Sequence, residues 1–178
     1  ALIKDKQVSS ELSSDVDEME KMLNEYLQFA KTGAEEKTQR FDLIVLLNEM
    51  INKYSNEKIL FNNQDSIIFE GRKELLKRCF NNFLQNSLKH GKEISIKVKK
   101  LRKDIIIDFE DDGPGIPKNE YENVFKPFYK IDKSRNNSKS SVGLGMSISS
   151  DIIRSHGGKI ILDVSKLGGL KVTVFLPC

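Results

Sequence analysis

Apolar residues recur in steps of three and four near the start of the chain, at Val8, Leu12, Val16, Met19, Leu23, Tyr26 and Ala30. That spacing predicts one amphipathic helix over residues 8–30. Met22, Leu27 and Phe29 widen the stripe near its end. Gly33 caps the helix, and residues 33–39 read as a polar linker. A lone helix of this kind cannot bury its stripe, so it must pack on partner helices of this chain or of another.

Beyond the linker the periods mix. Residues 40–42 read as a short strand, with Asp42 capping a helix over 43–53. Residues 59–61 and 67–70 read as short strands. Residues 75–89 read as a helix with Leu75, Leu76, Cys79, Phe80, Phe83, Leu84 and Leu88 as its apolar side. Ile94, Ile96 and Val98 alternate, as do Ile105, Ile107 and Phe109, which predicts two half-buried strands. Gly113-Pro114-Gly115 breaks regular structure, and 118–125 reads as a short helix. Residues 132–142 are rich in Ser, Asn and Lys, and read as a mobile loop. A helix over 146–156 opens directly after Gly145, and 159–164 with 170–176 form a hairpin. The expected organisation is 1–32 as part of a helical hairpin, 33–39 as linker, and 40–178 as one domain.

The net charge of +3 over 178 residues is mild, so no broad nucleic-acid surface is expected. Lys97, Lys99, Lys100, Arg102 and Lys103 read as a solvated strand face and turn. No stretch approaches the roughly 20 apolar residues of a membrane span, and no signal peptide opens the chain. Cys79 and Cys178 have no zinc or disulfide spacing, and Cys79 reads as a small buried apolar side chain. The chemistry therefore looks cytosolic and reduced.

Three short motifs carry candidate chemistry. Asn82 and Asn86 lie one helical turn apart and share a face. Their amide oxygens suit Mg²⁺, which keeps waters and substrate phosphate oxygens as well. Lys89 can reach the same phosphates. The alternative is a polar outer helix face. Asp111 ends a strand before Gly113 and Gly115, where a carboxylate can accept from an amino-purine and backbone can approach closely; the alternative is a plain Asp-Gly turn. Gly143-Leu144-Gly145 opens a helix whose backbone N–H groups can cradle phosphates, with 132–142 as a lid; the alternative is a helix entry without ligand. Lys130 and Arg135 are candidate phosphate contacts or solvated charges. His90 lines the pocket or ends the helix, His156 is a helix C-cap residue, and Phe125 and Phe128 read as core anchors.

As a set, these residues resemble the catalytic ATP-binding domain of bacterial sensor histidine kinases. Residues 81–90 (NNFLQNSLKH) look like its N box, 111–117 (DDGPGIP) its first glycine box, 124–129 (VFKPFY) its F box, and 142–148 (VGLGMSI) its second glycine box. The four stand in family order and cover about residues 40–178. The resemblance implies an α+β fold. This is the two-layer α/β sandwich of the GHKL type, a mixed sheet with helices on one face, shared with gyrase, Hsp90 and MutL ATPases. It implies ATP and Mg²⁺ as cofactors, with Asn86 as the metal ligand and Asn82 a polar contact near metal and phosphates. Lys89 would touch phosphate, His90 would lie against the base, and Asp111 would bind the adenine amino group. Gly113, Gly115 and Ile116 would form that wall. Lys130 stands where the family usually has a phosphate-contacting Arg, and lacks the planar fork. Arg135 follows in the lid, and Asn82, Lys130 and Arg135 are the candidate catalytic residues. Val142, Gly143, Leu144, Gly145 and Met146 would border the phosphates, although Ser141-Val142 replaces a family Gly-Thr pair.

The helix at 8–30 resembles the second helix of the family's dimerisation and phosphoacceptor hairpin, two of which make a homodimeric four-helix bundle. The layout is closest to the osmolarity-sensor, EnvZ-like branch. What the resemblance implies is a protein-histidine kinase fragment from the cytoplasmic portion of a bacterial inner-membrane sensor, with membrane contact only through segments absent here. Its γ-phosphoryl would pass to a His on the absent first helix, whose imidazole is the nucleophile, and then to an Asp of a response regulator. Two rivals remain. One is a serine kinase of the anti-sigma-factor type, against which the helix at 8–30 counts. The other is a degenerate nucleotide-binding dimer scaffold.

Overall fold

Asp42 starts the first compact element. It ends strand β1 (Gln39–Asp42) and caps helix α1 (Leu43–Ile51), its Oδ1 accepting from the Ile44 N–H at 2.8 Å. The same oxygen accepts from the Ile67 N–H at 3.3 Å, which brings the start of β3 (Ile68–Gly71) alongside β1. The two strands pair antiparallel as a small sheet of their own. The helix expected over 43–53 is shorter: after Ile51 the chain tightens into a 3₁₀ turn, Asn52–Tyr54. The computed structural model describes residues 12–13, 16–17, 19–20, 23–24, 26–27, 35–63, 65–131 and 143–178.

The main sheet has five strands in the order β2-β4-β5-β7-β6: β2 (Lys58–Phe61), β4 (Glu93–Leu101), β5 (Asp104–Asp111), β6 (Lys159–Val164) and β7 (Leu170–Pro177). β2 pairs parallel with β4 and the other neighbours pair antiparallel, so the sheet is mixed as expected. Alternation decides what each face does. Ile94, Ile96, Ile105, Ile107, Phe109, Val172, Val174 and Leu176 are buried on one face. The opposite face carries Lys97, Asp108, Glu110, Lys171 and Thr173, joined by polar contacts such as Thr173 Oγ1 donating to Asp108 at 2.7 Å.

Helix α2 (Lys73–His90) covers the apolar face. Leu75, Leu76, Cys79, Phe80, Phe83 and Leu84 recur in steps of one, three and four, and all are buried. Phe80 and Phe83 place their ring centroids 5.9 and 5.5 Å from Phe109 of β5, in tilted pairs. Each ring contributes on the order of 1.5–3 kcal/mol by burial, and the pairing adds to that. Helix α3 (Gly145–Ser155) packs beside α2 through Ile148, Ile152 and Ile153. His156 ends α3, as its place before Gly157-Gly158 implies, and its ring also bridges the two helices. Its Nε2 accepts from the Arg72 N–H at 3.0 Å, and its Nδ1 donates to the Ile152 carbonyl at 2.8 Å.

Two expectations are corrected. Residues 118–125 are not one helix: they form two 3₁₀ turns, Lys118–Glu120 and Asn123–Phe125, too short and too polar to bury a face. Phe128 is not a core anchor. It is 57% exposed with a φ of +65°, while Val124 takes the buried position. The mobile loop expected over 132–142, with Arg135 and Val142, lies outside the described residues. So does much of the helix expected over 8–30. The residues described there are helical, and Leu12, Val16, Met19, Leu23, Tyr26 and Leu27 are each at least 53% exposed. That stripe has no cover among the described residues.

Candidate functional site

The sheet and α2 bring the N-box end of the helix against the end of β5. Asp111 is 5% exposed there, and its carboxylate is held by three donors. Ser87 Oγ donates to Oδ2 at 3.1 Å, while the Gly113 and Leu170 N–H groups donate to Oδ1 at 3.0 and 3.1 Å. A carboxylate offers roughly four lone-pair positions. Three are taken, and the position left on Oδ2 can accept one further donor. Asp112, its neighbour, is exposed and engaged differently. Its Oδ1 accepts from the Lys92 and Glu93 N–H groups, and those bonds hold its carboxyl below the usual range.

The glycines beside Asp111 are there for space. A Cβ on Gly113 would sit 2.9 Å from the His90 carbonyl oxygen and 3.0 Å from Asp111 Oδ1. The first glycine box is therefore pressed against the C-terminal end of α2, and His90 borders it through its backbone. Gly115 has a φ of +69°, which favours glycine. Ile116 is partly buried against the core.

Asn82 and Asn86 share a face of α2 but differ in what they touch. Asn82 Nδ2 donates to the Gly145 carbonyl at 3.2 Å and to Ser149 Oγ at 3.3 Å. It thereby ties α2 to the first turn of α3, so the N box and second glycine box meet at this residue. Asn86 and Lys89 are exposed, and the Asn86 side chain makes no hydrogen bond to another described residue. Among the described residues no group of three or more His, Cys, Asp or Glu side chains is placed to hold a metal. The Asn86 amide oxygen could be offered to a cation here, and such a donor would fit a Mg²⁺ whose other ligands are phosphate oxygens and water.

The second glycine box is fastened to the F box. The Phe128 N–H donates to the Gly143 carbonyl at 3.0 Å, and Gly143 has a φ of +75°. A Cβ there would lie 2.9 Å from the Tyr129 carbonyl oxygen. The N-cap residue of α3, Leu144, supplies no side-chain cap, so the first N–H groups of the helix could meet an anion. The Leu144 side chain is 2% exposed in the core, so what this residue could offer a ligand is its backbone, the group the sequence reading assigns to it. Met146 is partly buried and Lys130 half-buried. Tyr129 Oη donates to Glu120, a bond that raises the tyrosine pKa and lowers that of the carboxyl.

Residues 71–178 match the profile of the histidine kinase-, DNA gyrase B- and HSP90-like ATPases. The chain belongs to that family. Among curated relatives, the chain is similar to the sensor histidine kinase GtrS of Pseudomonas aeruginosa, at 29% identity over 99% of this chain and 37% of the relative. It is 35% identical to the signal transduction histidine-protein kinase BaeS of Escherichia coli over 67% of this chain and 26% of BaeS. The chain thus spans about a third of the length of these relatives. Among solved structures, the mycobacterial sensor histidine kinase MprB superposes with a TM-score of 0.69 at 20% identity, covering 79% of this chain and 97% of that one. The catalytic domain of the histidine kinase ThkA does so at 0.68 and 22%, over 79% and 95%. Both establish the GHKL-type fold.

Sequence reasoning missed two members of the site and one residue that holds its helix at the far end. Ser87 left a signal: it is a hydroxyl on the buried side of α2, four residues after Phe83. The Leu170 N–H left none, because a backbone donor carries no residue type. Glu36 also went unnoticed. Its carboxylate accepts from the Glu74 and Leu75 N–H groups at 2.6 and 3.0 Å and caps α2, whose N-cap residue Arg72 supplies no side-chain cap.

Proposed function

We propose that this chain is the ATP-binding catalytic region of a two-component sensor histidine kinase. The observation that carries the reading is the Asp111 carboxylate, buried, clamped by three donors, and left with one acceptor position for an adenine amino group. Asn86 supplies an amide oxygen to Mg²⁺, and Lys89, Lys130 and Arg135 supply charge near the phosphates. When bound, the metal neutralises the charge that builds on the transferred phosphoryl group. The chain's own work is to seat the base, hold α2 and α3 together through Asn82, and offer the first turn of α3 to phosphate.

Residues 1–32 belong to a dimerising hairpin, 33–39 are the linker, and 40–178 are the catalytic domain. The exposed stripe from Leu12 to Leu27 supports the first assignment, because it needs a partner. The acceptor histidine lies on the other helix of that hairpin. His156 cannot serve, since both ring nitrogens are engaged within the fold. The whole protein is a bacterial membrane sensor whose catalytic part faces the cytoplasm and which passes phosphoryl to a response-regulator Asp. Among the described residues no helix is long and apolar enough to cross a membrane. The osmolarity-sensor branch stays an expectation of the sequence.

The test mixes this chain with a separate hairpin bearing a His followed by an acidic residue, and ATP labelled at the γ-phosphate. The expected product is hairpin-bound label that is lost in acid and kept in base, as a phosphoramidate is. Efficient self-labelling of residues 1–178, or a base-labile product, overturns the assignment of acceptor and class.

A further inference from the structure

We infer that Glu110 is a positioning residue for the Asp111 carboxylate, acting through the turn between β6 and β7. The inference rests on the reading of Asp111 given above. Glu110 precedes Asp111 in β5, so its side chain leaves the opposite face of the sheet and does not approach the nucleotide. Yet it is only 2% exposed. A carboxylate is not buried at a strand end without partners.

Those partners fall in two groups. Oε1 accepts from Lys97 Nζ at 3.1 Å, but that ammonium is half exposed and solvent-screened. Oε2 accepts from the Lys166 N–H at 3.1 Å and from Ser165 Oγ at 3.5 Å. Burial pushes the carboxyl upward. The bonds from the Lys166 N–H and Lys97, with the charges of Lys97 and Lys171, outweigh it and hold the group ionised below the usual carboxylate range.

The contact with Lys166 matters because of what the turn does next. The turn is tied to itself, with Ser165 N–H donating to the Gly169 carbonyl at 2.9 Å and Leu167 N–H to Ser165 Oγ at 3.0 Å. It is then tied to Asp111. Gly169 N–H donates to the Asp111 carbonyl at 3.0 Å, and Leu170 N–H donates to Oδ1 at 3.1 Å. Successive residues of one strand therefore grip one turn from opposite faces, Glu110 at its entry and Asp111 at its exit. There is no slack between them: a Cβ on Gly169 would lie 2.3 Å from Asp111 Oδ1. Loss of the Glu110 grip lets the turn move, frees Oδ1 from Leu170, and lets the carboxylate rotate away from the pose that leaves one Oδ2 position open.

A purely structural Glu110 would weaken every nucleotide alike, whereas a positioning Glu110 acts on recognition of the 6-amino group. Calorimetric affinities of this chain for Mg²⁺·ATP and for Mg²⁺·purine riboside 5′-triphosphate, which lacks that group, separate the two. Glu110→Leu should weaken ATP about three- to tenfold and the purine riboside nucleotide by less than about twofold, the size of one lost hydrogen bond. Glu110→Gln keeps an oxygen for the Lys166 N–H and should restore most of the preference. Ser165→Ala, a milder cut in the same chain, should shift the ratio in the same direction and decides the matter if Glu110→Leu does not fold. Equal losses for both nucleotides, or an unchanged ratio in Glu110→Leu and Ser165→Ala, overturn the inference. Asp111→Asn in parallel tests the reading beneath it. If that variant leaves the ratio unchanged, base recognition by Asp111 fails and the role of Glu110 falls with it. If it collapses the ratio and the Glu110 variants do not, only the role of Glu110 fails.

Discussion

Asp111 and Asn86 both border the proposed nucleotide, but one is 5% exposed and held by three donors while the other stands in solvent, its side chain without a hydrogen bond to a described residue. In the proposed site the base end is held by the fold itself. At the proposed phosphate end, ligand, metal and water would complete what the exposed Asn86 amide offers. The contrast follows from what each end must recognise. An exocyclic amino group is a single directional donor, so its acceptor gains from being locked. A hydrated cation and a flexible triphosphate bring their own ligands, and an exposed amide on a helix can meet them where they settle.

Breaking the locked end should have the largest effect. Asp111→Asn turns an acceptor-only group into one that also donates, facing the Ser87 hydroxyl and two N–H groups. ATP affinity should fall by about 1.5–3 kcal/mol, the range for hydrogen bonds to charged groups, and the Tm should fall as well. Calorimetry showing unchanged affinity would remove Asp111 from the base site.

Gly169→Ala attacks the same end through packing. The added Cβ would meet Asp111 Oδ1 at 2.3 Å and the Gly113 nitrogen at 2.5 Å. Overpacking of this kind costs about 1–3 kcal/mol of stability. A denaturation midpoint equal to that of the parent chain would mean the turn is looser than its hydrogen bonds imply.

Asn86→Ala should do the reverse of these two. Folding stability should stay within about 0.5 kcal/mol, as for an exposed position. ATP binding should weaken in Mg²⁺ and stay nearly unchanged in EDTA. Equal losses with and without the metal would show that Asn86 is not a ligand.

The smallest effect concerns the joint between α2 and α3. Burial lowers the pKa of His156 below its ordinary 6.5, and the Arg72 charge adds to this. The bond to Ile152 and the Glu36 charge work the other way. The folded state therefore prefers the neutral ring. Its contribution to stability is full above the ordinary value and is lost as pH falls through 6.5 towards the depressed folded value. His156→Gln should flatten the pH dependence of Tm across that window. A parent chain whose Tm does not change between neutral pH and pH 5 would rule this out.

Where a pattern is local, the chain alone announced it. The stripe from Leu75 to Leu84, the alternation of Ile105, Ile107 and Phe109, and the Asp42 cap each depend on one element's period, and each stands where that period puts it. Candidate site residues were legible for the same reason: Asn82 and Asn86 are a helical turn apart, and Asp111 ends a strand beside glycines. The misses share a different cause. Phe128 looked like a core anchor because composition reports neither its φ of +65° nor the exposure of its ring. Residues 118–125 looked like one helix because two 3₁₀ turns and a short helix have the same composition.

By itself, then, the sequence determined the order of the main elements, the apolar face of each and where the candidate site residues stand on them, because helix and strand periods are local properties. Only the tertiary structure decided how those residues are held. Ser87 and Leu170 reach Asp111 from 24 and 59 residues away, and Asn82 reaches Ser149 across 67. Glu110 meets the β6–β7 turn 56 residues further on. Such contacts are made by backbone groups and by side chains from distant segments, and no period within any one segment encodes them.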